Sequence, residues 1–215
     1  GVSEGDEVIV PDFSFIATAN VVRHIGATPV FVDIDLNTLC MDPSAFKSAI
    51  TANTRAVIPV HIYGHPAPMP EIVEVARAYN ILIIEDCAEA HGATINGIRV
   101  GGWGDVGVFS FYGNKIMTTG EGGAIVLRDA TIVARLELLR DHAMSPTRRY
   151  WHEEVGYNFR ITNLQAALGV AQLERVNEII QRKREIFEWY SGAIADIDGI
   201  RLNYKATWAK PVYWM

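Results

Sequence analysis

A lysine stands in a turn rich in glycine and threonine, Gly113-Asn114-Lys115-Ile116-Met117-Thr118-Thr119-Gly120-Glu121-Gly122-Gly123, between two strand-like apolar runs. Lysine is rarely buried without a partner, so Lys115 is either a solvated turn residue or an amine kept for chemistry. Upstream lies Ile83-Ile84-Glu85-Asp86-Cys87-Ala88-Glu89-Ala90-His91-Gly92. An acid at the carboxyl end of a buried parallel strand sits where open α/β sheets bind ligands, although an aspartate there also serves as a helix cap. His61 and His91 stand near strand ends, where lone histidines are commonly hydrogen-bonded structural residues, and no paired His/carboxylate spacing points to a metal. Gly102-Trp103-Gly104-Asp105-Val106-Gly107 matches GxGxxG literally, with Asp129 about twenty residues on. A dinucleotide fingerprint must follow a strand and open a helix, whereas this one runs into the strand-like Val108-Phe109-Ser110-Phe111.

The elements that must position these residues alternate between strand and helix. Glu7 to Val10, Pro29 to Asp33, Ala56 to Val60, Ile81 to Ile84, Val106 to Phe111 and Gly123 to Leu127 are short, β-branched runs. Helical spacing covers Ile16 to Ile25, a segment capped by Asp42-Pro43 and running to Ile50, Met69 to Tyr79, and Ala130 to Arg140. Continuous rather than alternating apolar strands imply burial on both faces. The expected fold class is therefore α/β, a doubly wound, mostly parallel sheet. Asp141 to Tyr157 is a long polar and aromatic loop, and such loops are often functional. From Thr162 to about Ala195 the chain reads as helix, with Gly169 and Asn177 as weak points and small residues early on that allow close packing.

Bulk properties narrow the classes further. The 215 residues suffice for one large domain or one domain and part of another, and no apolar run reaches the roughly 18 residues of a membrane span. A net charge of -6 disfavours nonspecific nucleic-acid binding, while an anionic small substrate remains compatible with locally placed cations. Cys40 and Cys87 form no CxxC pair, so neither a disulfide framework nor a zinc site is expected, and a reducing cytoplasm fits. The missing initiating Met and the absence of a stop signal at Tyr213-Trp214-Met215 lead us to expect a piece of a longer protein.

Phe109-Ser110-Phe111-Tyr112-Gly113-Asn114-Lys115, the Thr118-Thr119-Gly120-Glu121-Gly122-Gly123 that follows, the upstream acidic segment and Gly156-Tyr157-Asn158-Phe159-Arg160 together resemble the nucleotide-sugar aminotransferases, fold-type I pyridoxal-phosphate (PLP) enzymes. The resemblance spans essentially the whole chain. Val60-His61-Ile62-Tyr63-Gly64 and Arg148-Arg149-Tyr150-Trp151 resemble one branch of that family. It implies a three-layer aspartate-aminotransferase-like large domain over residues 1–198, truncated at its start, with 199–215 beginning a small C-terminal domain. The family's Ser-Gly-Thr phosphate segment would lie upstream of Gly1.

The same resemblance implies site roles. Lys115 aligns with the Schiff-base lysine and proton shuttle, Asp86 with the partner of the pyridine nitrogen, and Glu89 with the residue near the cofactor's phenolic oxygen. Ser110 aligns with a phosphate ligand, Phe15 with an aromatic stacked on the pyridine ring, and Asn158 with an asparagine reaching the phosphate of a neighbouring subunit. Phe15 as plain core and Asn158 as a helix cap are the competing readings. The implied activity moves an amino group, from glutamate through pyridoxamine phosphate, to a nucleotide-linked 4-keto-6-deoxy sugar or a 3-keto one, in a homodimer with composite sites. A noncatalytic PLP-binding homologue, or an inactive fragment of the aminotransferase, is the alternative. The dehydratase branch, which carries histidine at the lysine position, does not match Lys115.

Overall fold

The computed structural model describes residues 1–215. Six strands, β1 (Glu7–Pro11), β2 (Thr28–Val32), β3 (Thr54–Val57), β4 (Leu82–Asp86), β7 (Val106–Ser110) and β8 (Gly123–Leu127), form one sheet in the order β2-β1-β3-β4-β7-β8. All neighbours pair parallel except β7 and β8, which run antiparallel in register from Val106↔Leu127 to Ser110↔Gly123. The fold class read from sequence is thus the one observed. A three-stranded sheet of β5 (Thr94–Ile95), β6 (Ile98–Arg99) and β9 (Ala209–Lys210) flanks it.

Burial on both faces follows from the central strands' unbroken β-branched sequence. In β1, Val8 and Val10 pack with Ala19 and Val22 of helix α1 (Ala17–His24), while Ile9, pointing the other way, packs with Phe46 of α2 (Pro43–Ser48) and Met69, Ile72 and Ala76 of α3 (Met69–Ala78). Each of these strand side chains is 2% exposed or less, so truncating one to alanine would cost about 2–5 kcal/mol. Asp42 caps α2 by accepting from the Ser44 N–H at 2.7 Å, with Pro43 in the first turn where its missing N–H is harmless.

The chain beyond β8 departs from its periodicity. The segment Ala130–Ile132 is a 3-10 turn, and only Val133–Arg140 is α-helical (α4). The expected long helix is two, α5 (Asn163–Glu174) and α6 (Val176–Ala193), broken at Arg175 with φ -109° and ψ 9° and not at Gly169 or Asn177. Gly169 is helical and lies against Thr119, where a Cβ would come within 3.1 Å of the Thr119 methyl, so the glycine serves close packing rather than a break. Gln172, one turn on, accepts from the Thr118 N–H at 3.1 Å and donates to its carbonyl. The break then lets Val176, Ile179 and Ile180 pack on a second cluster with Cys87, Ala90, Ile116, Val212 and Trp214. Residues 209–214 join that cluster by pairing β9 with β5 and burying Val212 and Trp214.

Candidate active site

Strand order reverses direction on either side of β1, and the carboxyl ends of β1, β3, β4 and β7 open toward one region, the place where open α/β sheets bind ligands. Each contributes a side chain or turn.

Asp86, the last residue of β4, accepts the Thr18 hydroxyl at 2.8 Å on Oδ2 and the Ala88 N–H at 3.1 Å on Oδ1. Each oxygen keeps a lone pair for a further donor. Glu89, one turn on, accepts the Tyr63 N–H at 2.7 Å on Oε2, and its Oε1 lies 3.5 Å from Lys115 Nζ. Burial pushes the Glu89 carboxyl up, helped by the charge of Asp86, and the Tyr63 amide and Lys115 offset this only in part. A sheltered carboxyl beside an amine at the ends of adjoining strands marks a candidate functional site.

Lys115 is sheltered, its side chain 13% exposed, which removes the reading of a solvated turn residue. The backbone N–H of Lys115 donates to the Tyr112 carbonyl at 3.0 Å, and the following Thr118 and Thr119 tie back to Phe111. Ser110 ends β7 just before this turn and accepts the Tyr112 N–H at 3.2 Å. The structure therefore brings together Asp86, Glu89 and Lys115, with Ser110 at the base of the same turn.

Phe15 and Asn158 are not part of this cluster within one chain. Phe15 is 71% exposed ahead of α1, so the plain-core reading does not describe it. Asn158 is exposed in a segment clipped to the end of α4, where it bridges Asp141 and where Phe159 N–H donates to the Arg140 carbonyl. It does not cap α5. That cap is Thr162, in a reciprocal box with Gln165.

Neighbouring motifs resolve into structure. The loop that carries the GxGxxG match holds an internal carboxylate rather than a phosphate: Glu85, fully buried, accepts the N–H groups of Gly101, Trp103 and Gly104, each at 2.7 Å. Its fourth donor is His61 Nε2 at 3.1 Å, a tautomer fixed because His61 Nδ1 accepts the Ala67 N–H at 2.9 Å. Burial alone would raise the Glu85 carboxyl, but His61 and the amides of Gly104 and Gly101 outweigh it and hold it below the usual range. The loop needs glycine because backbones cross closely; a Cβ on Gly107 would stand 2.6 Å from the Gly101 Cα. Cys87 Sγ lies near His61 and Glu85, but both nitrogens of His61 and both oxygens of Glu85 are already engaged, and burial raises the Cys87 thiol far above its ordinary value. His91 lies between Phe109 and Phe111 with both ring nitrogens unpartnered, and burial holds it down to about 4, so it is neutral at pH 7.

Sequence reasoning missed Thr18 and the role of Tyr63. Thr18 lies one turn beyond Phe15, a hint only once α1 is known to start at the site. Tyr63 lies in the Val60–Gly64 motif, yet its positive φ of 51°, which aims its amide at Glu89, has no sequence signature.

The DegT/DnrJ/EryC1/StrS aminotransferase family model matches residues 1–215. A GDP-perosamine synthase of Caulobacter vibrioides, of the branch that Val60–Gly64 resembles, is 47% identical over 216 residues, covering all of this chain and 58% of that protein. A UDP-N-acetyl-3-dehydro-alpha-D-glucosamine 3-aminotransferase of Acidithiobacillus ferrooxidans is 43% identical over 92% of this chain and 53% of its own length. The crystal structure of S. venezuelae DesV in complex with a ketimine intermediate superposes with a TM-score of 0.93 at 39% identity, covering 99% of this chain and 57% of that one. The chain thus spans a little over half the length of these relatives. With a match to the family model over the whole chain and a shared fold, the chain belongs to the DegT/DnrJ/EryC1/StrS aminotransferase family.

Proposed function

We propose that the full-length protein is a PLP-dependent aminotransferase that moves an amino group from L-glutamate to a nucleotide-linked 4-keto-6-deoxy sugar. The observation that carries this reading is the convergence of Lys115, Glu89 and Asp86 at adjoining strand ends, with lone pairs and an amine left open. The family's cofactor is pyridoxal 5'-phosphate, and the donor set fits it. Asp86 would offer a carboxylate to a protonated pyridine nitrogen, Glu89 would lie toward the phenolic oxygen, and Ser110 would offer a hydroxyl to the phosphate. Lys115 would hold the cofactor through its amine. Phe15, exposed at the rim, is free to stack on the ring.

When bound, the cofactor supplies an electron sink for a carbanion-like centre. Asp86 keeps the sink effective by holding the ring nitrogen's proton, since a carboxylate beside a cation favours its charged form. Lys115 Nζ, when free, would act as the base and acid that moves a proton at the reacting carbon. Its neighbour Glu89 holds the ammonium when Nζ carries that proton.

A symmetric homodimer completes the site in this proposal, with Asn158 of the partner subunit reaching the phosphate. Supporting it are apolar side chains that this single chain leaves uncovered on α5 and β8: Leu164, Leu168, Leu173, Ile125 and Val126. Residues 1–198 form the large domain and the following chain leads into a small one. The resemblance to GDP-perosamine synthase favours a 4-keto-6-deoxy sugar over a 3-keto one, and a cytoplasmic setting follows from such substrates.

Borohydride reduction of the full-length protein with PLP, followed by peptide mapping, is expected to place the pyridoxyl group on Lys115. Parallel assays with glutamate and GDP-, UDP- and dTDP-linked keto sugars then identify the acceptor. Label on another lysine, or no amino transfer to any keto sugar, overturns the proposal.

A further inference from the structure

We infer that Trp214 is a positioning residue for Lys115: its indole face is the resting place of the free ε-ammonium. This inference rests on the reading of Lys115 as the working amine.

Lys115 Nζ stands 4.0 Å from the centroid of the Trp214 ring, on a side chain with little exposure, while Glu89 Oε1 lies at 3.5 Å. A desolvated ammonium over an indole face is attracted by the ring's quadrupole, strongest for tryptophan. The same indole donates its Nε1–H to the carbonyl of Asn114, the residue before Lys115, at 2.7 Å. One side chain therefore holds both the backbone at the lysine and the end of its side chain.

Trp214 is itself fixed. Its backbone N–H donates to the Tyr63 carbonyl at 3.1 Å, and the Val212 N–H donates to the Gly64 carbonyl at 3.1 Å. Tyr63 has φ 51°, an uncommon conformation for a non-glycine residue. That turn lets the Tyr63 N–H hold Glu89 while its carbonyl holds Trp214. Gly64, at φ 84°, is required by the same contact, because a Cβ there would lie 2.8 Å from a Val212 methyl and 3.1 Å from the Trp214 nitrogen. Turn 63–64 thus places the two groups that flank Lys115, a carboxyl and an indole, and links residues about 150 positions apart to the same nitrogen.

The test uses cofactor-free full-length protein and trace acetylation of Lys115 by acetic anhydride across pH, with an exposed lysine as internal standard. Removing the π face destabilises the ammonium, so Trp214→Leu is expected to move the midpoint of the Lys115 labelling profile to lower pH. At pH 7.5 the rate then rises roughly two- to thirtyfold, while the high-pH plateau is unchanged. Trp214→Phe, which keeps a ring face, is expected to lie near wild type, and Trp214→Met is measured alongside in case the leucine variant does not fold. An unchanged midpoint in both Leu and Met variants, a parallel rise at every pH, or a Phe profile equal to that of Leu overturns the inference. Labelling needs no amino transfer, so its failure is separable from failure of the proposed activity.

Discussion

Glu85 and Asp86 are consecutive in β4 and, because successive strand residues point to opposite faces, they end in opposite circumstances. Glu85 is fully buried and takes four donors, three backbone amides and His61. Asp86 is partly buried and takes two, the Thr18 hydroxyl and the Ala88 amide. The first carboxylate is saturated and stitches the glycine loop to the sheet. The second keeps acceptor capacity aimed at the strand ends, where Glu89 and Lys115 also gather. Burial and a strong hydrogen-bond network therefore mark structure here, whereas incomplete satisfaction at the mouth of the sheet marks the place for a ligand.

Exchanging these two acids in turn breaks the comparison most sharply. Asp86→Asn in the full-length enzyme is expected to leave the melting temperature within a few degrees of wild type while slowing amino transfer roughly a thousandfold, equivalent to about 4 kcal/mol of barrier. Unchanged turnover would remove Asp86 from the electron-sink role. Glu85→Gln is expected to do the reverse: lost stability of about 2–6 kcal/mol at pH 7 by chemical denaturation, because the glutamine NH2 would face two of the four donors and leave them buried without an acceptor. The native Glu85 value lies below the ordinary 4.5, so its contribution is complete above 4.5 and is lost as pH falls through the lower native value. The stability gap between wild type and Glu85→Gln must therefore narrow in acid, and a gap constant down to pH 3 would show that Glu85 is not held ionised.

The smallest expected effect belongs to Glu89→Gln, which sharpens the contrast within the site itself. Burial raises the Glu89 carboxyl, so the fold favours its neutral form and loses stability as pH rises through the range where it ionises. Glutamine stays neutral, and the variant should gain on wild type across that range. A variant that instead loses ground as pH rises would mean that the Lys115 pair outweighs burial.

Much of this was legible in the residues. β-branched runs without alternation announced a sheet covered on both faces, Asp42-Pro43 announced a helix start, and the failure of GxGxxG to open a helix was visible from Val108-Phe109-Ser110-Phe111 alone. The Asn114-Lys115 turn and the Asp86 strand end could be picked out by residue type and position. What the sequence could not express is anything that joins distant residues through geometry. Periodicity is nearly silent on a helix break at Arg175, because what sets it is the packing of Gly169 and Gln172 on the Thr118–Thr119 turn and of Ile180 on a different cluster. No local pattern says which of two adjacent acids is saturated, since that depends on a loop sixteen residues away folding over Glu85.

Nor does one say that Thr18 meets Asp86, that Tyr63 turns its amide to Glu89, or that Trp214 covers Lys115. The sequence by itself determined the element types and the chemistry on offer, because those depend on neighbours along the chain. Only the tertiary structure decided which donors each acid meets and what surrounds the lysine, because hydrogen bonds and π contacts act over a few ångströms of space.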